Sequence, residues 1–148
     1  MTIRSRAQRQ RDTEDRLNND VDLWVASASA DGAPYLVPLS FDWDGTALLL
    51  ATPAASPTGR NLTGNRTVRL ALGPTRDVTM IEGTVEILEM NALPGDLGDR
   101  FAARTGFDPR TLETRYLWFR VSPVRIDAWR EADELQGRAL MRDGRWLD

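Results

Sequence analysis

The residues best suited to chemistry in this chain lie in one short segment, and the chemistry they suit is the binding of an anion. They follow a loop of small residues, at the predicted start of a helix, and are Ser56, Thr58, Gly59 and Arg60. Hydroxyl groups, the free amides of a helix start and a guanidinium fork are the groups that hold a phosphate. The segment therefore predicts a binding site for a phosphate or a similar anion.

Three missing residue types exclude most other catalytic chemistry. The 148 residues include no Cys, no His and no Lys, since all 19 basic residues are Arg. The chain thus has no thiolate nucleophile, no Ser-His-Asp triad, no zinc site with nitrogen or sulfur ligands, no Walker A lysine and no Schiff base. A carboxylate-pair hydrolase stays open in principle, but no pair stands out among the 22 acidic residues. We expect an enzymatic activity to depend on a cofactor, and we predict no metal site.

Alternating polarity predicts a mainly β domain. Strands are predicted at residues 23–29, 35–41, 46–52, 67–72, 78–89, 116–121 with a continuation through 124–129, and 139–141. A short helix is predicted after Ser56 or Thr58 as its N-cap, ending at residues 64–65. A second, amphipathic helix is predicted at residues 91–104, with one apolar stripe formed by Leu93, Leu97 and Phe101.

The order of these elements predicts an antiparallel barrel of six strands or so, with helices at its openings, because most connections are short and one helix crosses over. A mixed β-sandwich is the nearest alternative. Pro38 cannot donate to a strand ladder, so it is predicted to lie on an unpaired side of its strand, at an edge or a bulge. The predicted core consists of Leu23, Val25, Leu48, Leu50, Val68, Leu70, Ile81, Val85, Leu117 and Phe119.

Residues 1–19 are predicted to form a polar arm or helix that is solvated, and residues 20–148 a single domain. The arm is locally basic, but acidic residues interrupt its arginines, which are Arg4, Arg6, Arg9, Arg11 and Arg16. Mixed charge without aromatic residues favours a solvated face over a nucleic-acid tail, and the net charge of -3 agrees. There is no apolar run of about 18 residues and no charged-then-apolar start, so we expect a cytoplasmic protein without a membrane segment.

Several short stretches, in this order, resemble the FMN-binding split-barrel superfamily. This superfamily includes pyridoxamine 5'-phosphate oxidase and small actinobacterial oxidoreductases that use FMN or the deazaflavin F420. The stretches that carry the resemblance are 34–40 (PYLVPLS), 42–45 (DWDG), 56–62 (SPTGRNL), 81–86 (IEGTVE) and 126–129 (IDAW). The resemblance implies a six-stranded antiparallel split barrel of Greek-key type and a homodimer with the cofactor at the subunit interface.

The resemblance and the residue chemistry together imply a cofactor site. An isoalloxazine ring needs an apolar wall with main-chain donors and acceptors, and the predicted wall is Val37, Pro38, Leu39 and Ser40. The segment from Ser56 to Arg60 would hold the cofactor phosphate. By similarity to the superfamily, Trp129 would contact the ring from the neighbouring subunit, and Arg138 matches an arginine at the flavin.

The sequence also departs from the superfamily. The Arg-Lys pair of the phosphate segment falls at Pro57-Thr58, which predicts weak affinity for FMN. The Arg-x-His that holds the vitamin phosphate in the oxidase falls near Glu134 and Gln136, where a carboxylate would repel that anion. We therefore do not expect pyridoxamine phosphate oxidase activity.

The expected function is that of an FMN-dependent oxidoreductase that moves a hydride or electrons between the cofactor and a small organic substrate. An F420-dependent reductase is one alternative. A non-catalytic module that binds a flavin, haem or another planar ligand is the other, with Tyr35, Tyr116 or Met as weak haem ligands. Five Trp residues are difficult to bury in one small barrel, which agrees with a dimer interface or a pocket lined by some of them.

Overall fold

The computed structural model describes residues 2–148, and one continuous sheet dominates it. The strands are β1 (Asp22–Ala28), β2 (Pro34–Trp43), β3 (Leu48–Pro53), β4 (Thr67–Leu72), β5 (Val78–Glu89), β6 (Tyr116–Trp129), β7 (Ala139–Arg142) and β8 (Arg145–Trp146). The helices are α1 (Arg6–Asn19), α2 (Pro57–Gly64) and α3 (Gly95–Thr105), with single 3₁₀ turns at Pro109–Thr111 and Ala132–Glu134.

The sheet closes on itself as a six-stranded antiparallel barrel. Its strand order is β3-β2-β1-β4-β5-β6, and a further pairing of β3 with β6 closes the ring. This order is a Greek key, because β1 lies between β2 and β4. The predicted split-barrel fold is thereby confirmed, and the closure excludes a sandwich. The hairpin of β7 and β8 extends the sheet beyond β6.

The barrel is split where β2 leaves β3. Pro34–Ser40 pairs only with β1, whereas residues 41–43 pair with β3. Phe41 N donates to Val21 O at 2.8 Å, and the hydrogen-bonding direction alternates along an antiparallel strand. The backbone groups of Leu36, Pro38 and Ser40 therefore point away from β1, toward the open side. The predicted edge position of Pro38 is confirmed.

Two apolar clusters hold the fold together. All ten predicted core residues are buried inside the barrel, and Leu17 of α1 and Leu62 of α2 join them. A second cluster packs α3 against the outer face of β3 and β6; its buried members are Leu49, Ala51, Leu93, Phe101 and Trp118. Both faces of β3 are thus covered, as its apolar middle predicts.

Two helix predictions need correction. The helix predicted from residue 91 begins at Gly95, because Pro94 is its N-cap and Leu93 precedes it. The N-terminal helix is not solvated on all sides. Its residues Arg9, Thr13 and Leu17 recur every four positions and are buried against the barrel. The guanidinium of Arg9 donates to Ala128 O at 3.2 Å and to Gly137 O at 3.0 Å, so polar contacts fasten this face.

None of the helices in residues 2–148 is long and apolar enough to cross a membrane.

Candidate functional site

A crevice of about 370 Å³ lies beside the open edge of β2. One wall is formed by Pro38, Leu39 and Ser40, which belong to the predicted ring-binding segment. The opposite side is formed by residues 51–53 of β3 and by three aromatic side chains, Phe101, Phe107 and Tyr116. Asp22 lines one end, where its carboxylate accepts a 2.7 Å hydrogen bond from Ser40 Oγ.

This crevice combines an apolar surface with unpaired backbone groups. The N–H and C=O of Ser40 and the C=O of Pro38 face the open side of β2, as the alternation of the ladder requires. Val37, the first residue of the predicted wall, does not line the crevice, and the side chains of both Val37 and Leu39 pack against the barrel core. The volume lies within the range of about 300–1,000 Å³ that is usual for small-molecule sites. A planar heterocycle with polar edges suits such a surface.

The start of α2 lies at the β3 end of the crevice, and its hydroxyl groups are already engaged. Ser56 caps the helix: its Oγ accepts from Gly59 N at 3.0 Å and donates to Pro53 O at 2.8 Å. The same oxygen lies 3.3 Å from Thr52 Oγ1, which connects the cap to the crevice. The side chain of Thr58 is buried. The predicted N-cap role of Ser56 is confirmed.

The guanidinium of Arg60 is exposed, and its Nη1 donates to Ala55 O at 2.8 Å. Arg60 lines a second cavity next to α2, not the crevice. The residues predicted to bind the phosphate therefore do not form one joint binding site in this conformation. The start of α2 therefore presents a ligand with one cation, the exposed guanidinium of Arg60, and with the amides of a helix start.

Gly59 is required by close packing rather than by a ligand. A Cβ at this position would lie 2.3 Å from Pro53 O and 2.8 Å from Ala54 O. Both are backbone oxygens, one at the end of β3 and one in the loop that connects β3 to α2, so they cannot move aside as a side-chain end can. The absence of a side chain at Gly59 thus lets α2 approach the crevice end.

Trp129 and Arg138 lie together, but on a different part of the barrel. The Arg138 guanidinium stacks over the Trp129 ring at 5.8 Å, and its Nε lies 3.6 Å from Asp127 Oδ2. Trp129 belongs to β6, and β1, β4 and β5 separate β6 from β2 on this side of the sheet. Four strand spacings amount to roughly 19 Å along the sheet. One chain therefore does not bring this pair to its own crevice.

Glu134 does not face a ligand, which corrects the argument that its carboxylate would repel an anion. Its side chain is fully buried beneath the N-terminal segment, where Oε1 lies 2.8 Å from Arg4 Nη2. The hydrogen bond from Arg4 holds the pKa of Glu134 at about 2, against the opposing effect of burial. The carboxylate fastens the N-terminal segment to the barrel.

Thr52, Phe101 and Phe107 line the crevice although no local pattern in the sequence predicts them there. They come from β3, α3 and the loop after α3, and only the folded barrel brings them together. Phe107 packs against Tyr116 with 5.6 Å between ring centroids. Tyr116 was considered only as a weak haem ligand, and the structure places it in the crevice wall.

The chain is thus a split Greek-key barrel with an apolar crevice and free backbone groups at its open edge. The family described as pyridoxamine 5'-phosphate oxidase matches residues 12–130. The chain belongs to the pyridoxamine 5'-phosphate oxidase family.

Solved structures with the same fold have diverse descriptions. One described as an F420 reductase is 20% identical, with a TM-score of 0.64 over 76% of this chain and 94% of that chain. A putative pyridoxamine 5'-phosphate oxidase from Listeria innocua is 14% identical, with a TM-score of 0.63 over 84% and 99%. HutZ, described as the heme storage protein from Vibrio cholerae, is 15% identical, with a TM-score of 0.63 over 80% and 93%. At these identities the likeness concerns the fold. Among curated proteins, none matches the chain.

Proposed function

We propose that this protein is a homodimeric oxidoreductase that binds FMN in the crevice and moves a hydride or electrons between it and a small organic substrate. The observation that carries this proposal is the 370 Å³ crevice at the open edge of β2, with its apolar walls and free backbone groups. Membership of the pyridoxamine 5'-phosphate oxidase family agrees with a flavin-type cofactor. F420, whose ring has the same tricyclic shape, is the alternative cofactor.

The chain's own residues bind and orient in this proposal, and the bound ring supplies the hydride chemistry. Pro38 would give the wall its apolar side chain and exclude water from one ring face, with the backbone of Leu39 beside it. The free N–H and C=O of Ser40 and the carboxylate of Asp22 offer a donor and acceptors to the polar edge of the ring. Tyr116 contributes the phenol hydroxyl of the crevice wall.

The phosphate end is held more weakly than the ring end. Ser56, Thr58, Gly59 and Arg60 remain the proposed phosphate segment, but the Ser56 hydroxyl is used as a helix cap and Thr58 is buried. The exposed Arg60 guanidinium and the amides at the start of α2 are the groups available to the phosphate. This supports moderate rather than tight binding of FMN.

A second copy of the chain would complete the site. The outer face of β2, β1, β4 and β5 carries an exposed apolar patch, which consists of Trp24, Ala26, Leu36, Ala71 and Met80. Trp24 is 50% exposed, Leu36 61% and Met80 36%. Register places Pro38 beside Trp24, Trp24 beside Ala71, and Ala71 beside Met80, so the patch continues directly from the crevice wall.

On its other side the patch reaches the Arg138–Trp129 pair, because Met80 lies opposite Asp127 in the next strand. A two-fold axis through the patch buries the same surface on both chains. Such an arrangement would bring Trp129 and Arg138 of one protomer to the crevice of its partner. Within one chain, the crevice and the Trp129–Arg138 pair stay roughly 19 Å apart along the sheet. This separation supports a site shared between two chains.

Titration of the purified protein with FMN and F420, followed by cofactor fluorescence, tests the proposed function. We expect saturable binding of one of the two with a Kd in the micromolar range and one ring per protomer. Bound cofactor that is reduced by a nicotinamide donor and reoxidised by a substrate would identify an enzyme. The proposal fails if neither cofactor binds at tens of micromolar.

A variant of the patch adds a control for the shared site. Trp24→Glu places a carboxylate in the apolar patch and should give a monomer in light scattering that no longer binds the cofactor. Leu112→Glu is the matched control, because Leu112 is 45% exposed and lies outside the patch. It should leave both oligomeric state and binding unchanged.

A non-catalytic module for a planar ligand is the second candidate. Tyr116 lines the crevice, and tyrosine is one of the axial ligands that proteins use for haem iron. HutZ, which has the same fold, is described as a heme storage protein. A Soret band on addition of haemin that is lost in Tyr116→Phe, together with no flavin binding, would favour this function.

A further inference from the structure

A second cavity, of about 600 Å³, lies next to α2 and shares no lining residue with the crevice. Its apolar surface is formed by Ala54, Ile87 and Leu117. Leu117 and Tyr116 are neighbours in β6, and successive side chains of a strand point to opposite faces. Tyr116 lines the crevice and Leu117 lines the second cavity, so β6 separates the two cavities at this point, although Thr52 of the crevice lies opposite Leu117 in the register.

Three arginines surround this cavity: Arg60 from α2, Arg66 from the loop after it, and Arg115 from the residue before β6. Arg115 forms an ion pair with Glu89, which also lines the cavity. Among residues 2–148, Arg60 and Arg66 have no carboxylate within 4.0 Å, whereas most arginines of this chain do. Three positive charges and one negative charge leave a net charge of about +2 at the cavity.

We propose that this cavity binds the phosphate group of a small phosphomonoester that has an apolar body. A phosphomonoester carries a charge of about −1.5 to −2 at pH 7, which matches the uncompensated charge of Arg60 and Arg66. Arg60 keeps N–H groups free, since one Nη1 bond goes to Ala55 O. The apolar surface of Ile87 and Leu117 gives the rest of the ligand a place to pack, which a free phosphate ion would not use.

The phosphate could belong to the proposed cofactor or to a separate metabolite, and the position of the cavity favours the separate metabolite. The crevice, where the ring is proposed to lie, shares no lining residue with this cavity. The cavity is therefore separate from the ring site. Arg60 is shared with the proposed phosphate segment, so Arg66 and Arg115 distinguish the two sites, and occupancy of the cavity does not require that the proposed oxidoreductase function is correct.

Isothermal titration of the full-length protein with phenyl phosphate, inorganic phosphate and benzoate tests this site. Phenyl phosphate should bind most tightly, because it alone combines the dianion with an apolar body. Arg66→Ala and Arg115→Ala should each weaken it about tenfold, as expected for the loss of one charge-assisted contact. Arg76→Ala is the matched control, since Arg76 is highly exposed, lies outside the cavity and should leave the affinity unchanged.

The same titration repeated in the presence of saturating FMN separates the two sources of the phosphate. Binding of phenyl phosphate with unchanged affinity supports an independent site, and competition between the two ligands overturns it. Equal affinity for inorganic phosphate and phenyl phosphate would refute the apolar half of the proposal. Absence of binding, or binding that Arg66→Ala does not change, would refute the whole of it. Failure of FMN to bind by itself affects only the proposed function.

Discussion

Replacement of Glu134 by glutamine is expected to lower the free energy of unfolding by about 3 kcal/mol at neutral pH. The carboxylate is fully buried and accepts hydrogen bonds from Arg4 N at 2.9 Å, Arg4 Nη2 at 2.8 Å and Arg130 N at 2.7 Å. A glutamine would keep one acceptor oxygen and set an NH₂ group against these donors. The loss corresponds to a decrease in Tm of roughly 6–12 °C for a chain of this size.

Glu131→Gln provides the control for this prediction. Glu131 is half-exposed and its carboxylate pairs with the exposed Arg76 at 3.4 Å, so the change should cost less than about 1 kcal/mol. Urea unfolding at pH 7, followed by tryptophan fluorescence, measures both variants. Equal stability of the two variants would show that Glu134 does not fasten the N-terminal segment.

The carboxylate of Glu134 also determines part of the stability that the protein loses in acid. Hydrogen bonds from Arg4 hold the pKa of Glu134 at about 2, below its ordinary value of 4.5. A group whose pKa is lowered by folding stabilises the protein fully above its unfolded pKa, and this stabilisation is lost as the pH falls from about 4.5 toward 2. The wild type should therefore lose about 3 kcal/mol over that range from this group. Glu134→Gln, which has no proton to take up there, should show a flatter profile.

Gly59→Ala is expected to destabilise the protein by about 2–3 kcal/mol and to weaken cofactor binding. The new Cβ would lie 2.3 Å from Pro53 O, so α2 or the preceding loop must move. Pro53, the last residue of β3, lines the crevice, and the movement therefore alters the site as well as the fold. Thermal unfolding and the FMN titration of the same preparation measure both effects.

Gly64→Ala is the matched control on the same helix. A Cβ at Gly64 would meet no atom within 4 Å, so this variant should be neutral or more stable by up to about 1 kcal/mol. Equal stability of Gly59→Ala and Gly64→Ala would contradict the close packing of α2 against Pro53 and Ala54.

The barrel could be predicted from sequence because its strands follow a local rule. Alternation in β4 and β5 gave the bounds of both strands, since one face of each strand is apolar and the other polar. The buried face of α1 escaped detection because only Leu17 of its three buried residues is apolar. The spacing of Arg9, Thr13 and Leu17 at every fourth position was the available signal. The two-residue strand β8 is too short to produce any pattern.

For the candidate site, the sequence predicts single segments but not which of them come together. The edge position of Pro38 follows from its missing N–H, and the capping role of Ser56 follows from its place before a helix. Which distant residues meet depends on strand order and register, which local patterns do not contain. Arg60, Arg66 and Arg115 come from three separate elements and converge only in the closed barrel.

Mixing two inactive variants tests the shared site most directly. Ser40→Trp fills the crevice, and Trp129→Ala removes the aromatic residue proposed to act from the partner. Each variant alone should bind little FMN, while both should keep the wild-type circular dichroism spectrum. After subunit exchange in an equal mixture, half of the dimers are mixed, and each mixed dimer has one intact site. Flavin fluorescence should then report binding at about a quarter of all sites. A mixture that binds no more FMN than its two components would contradict a cofactor site built from two copies of the chain.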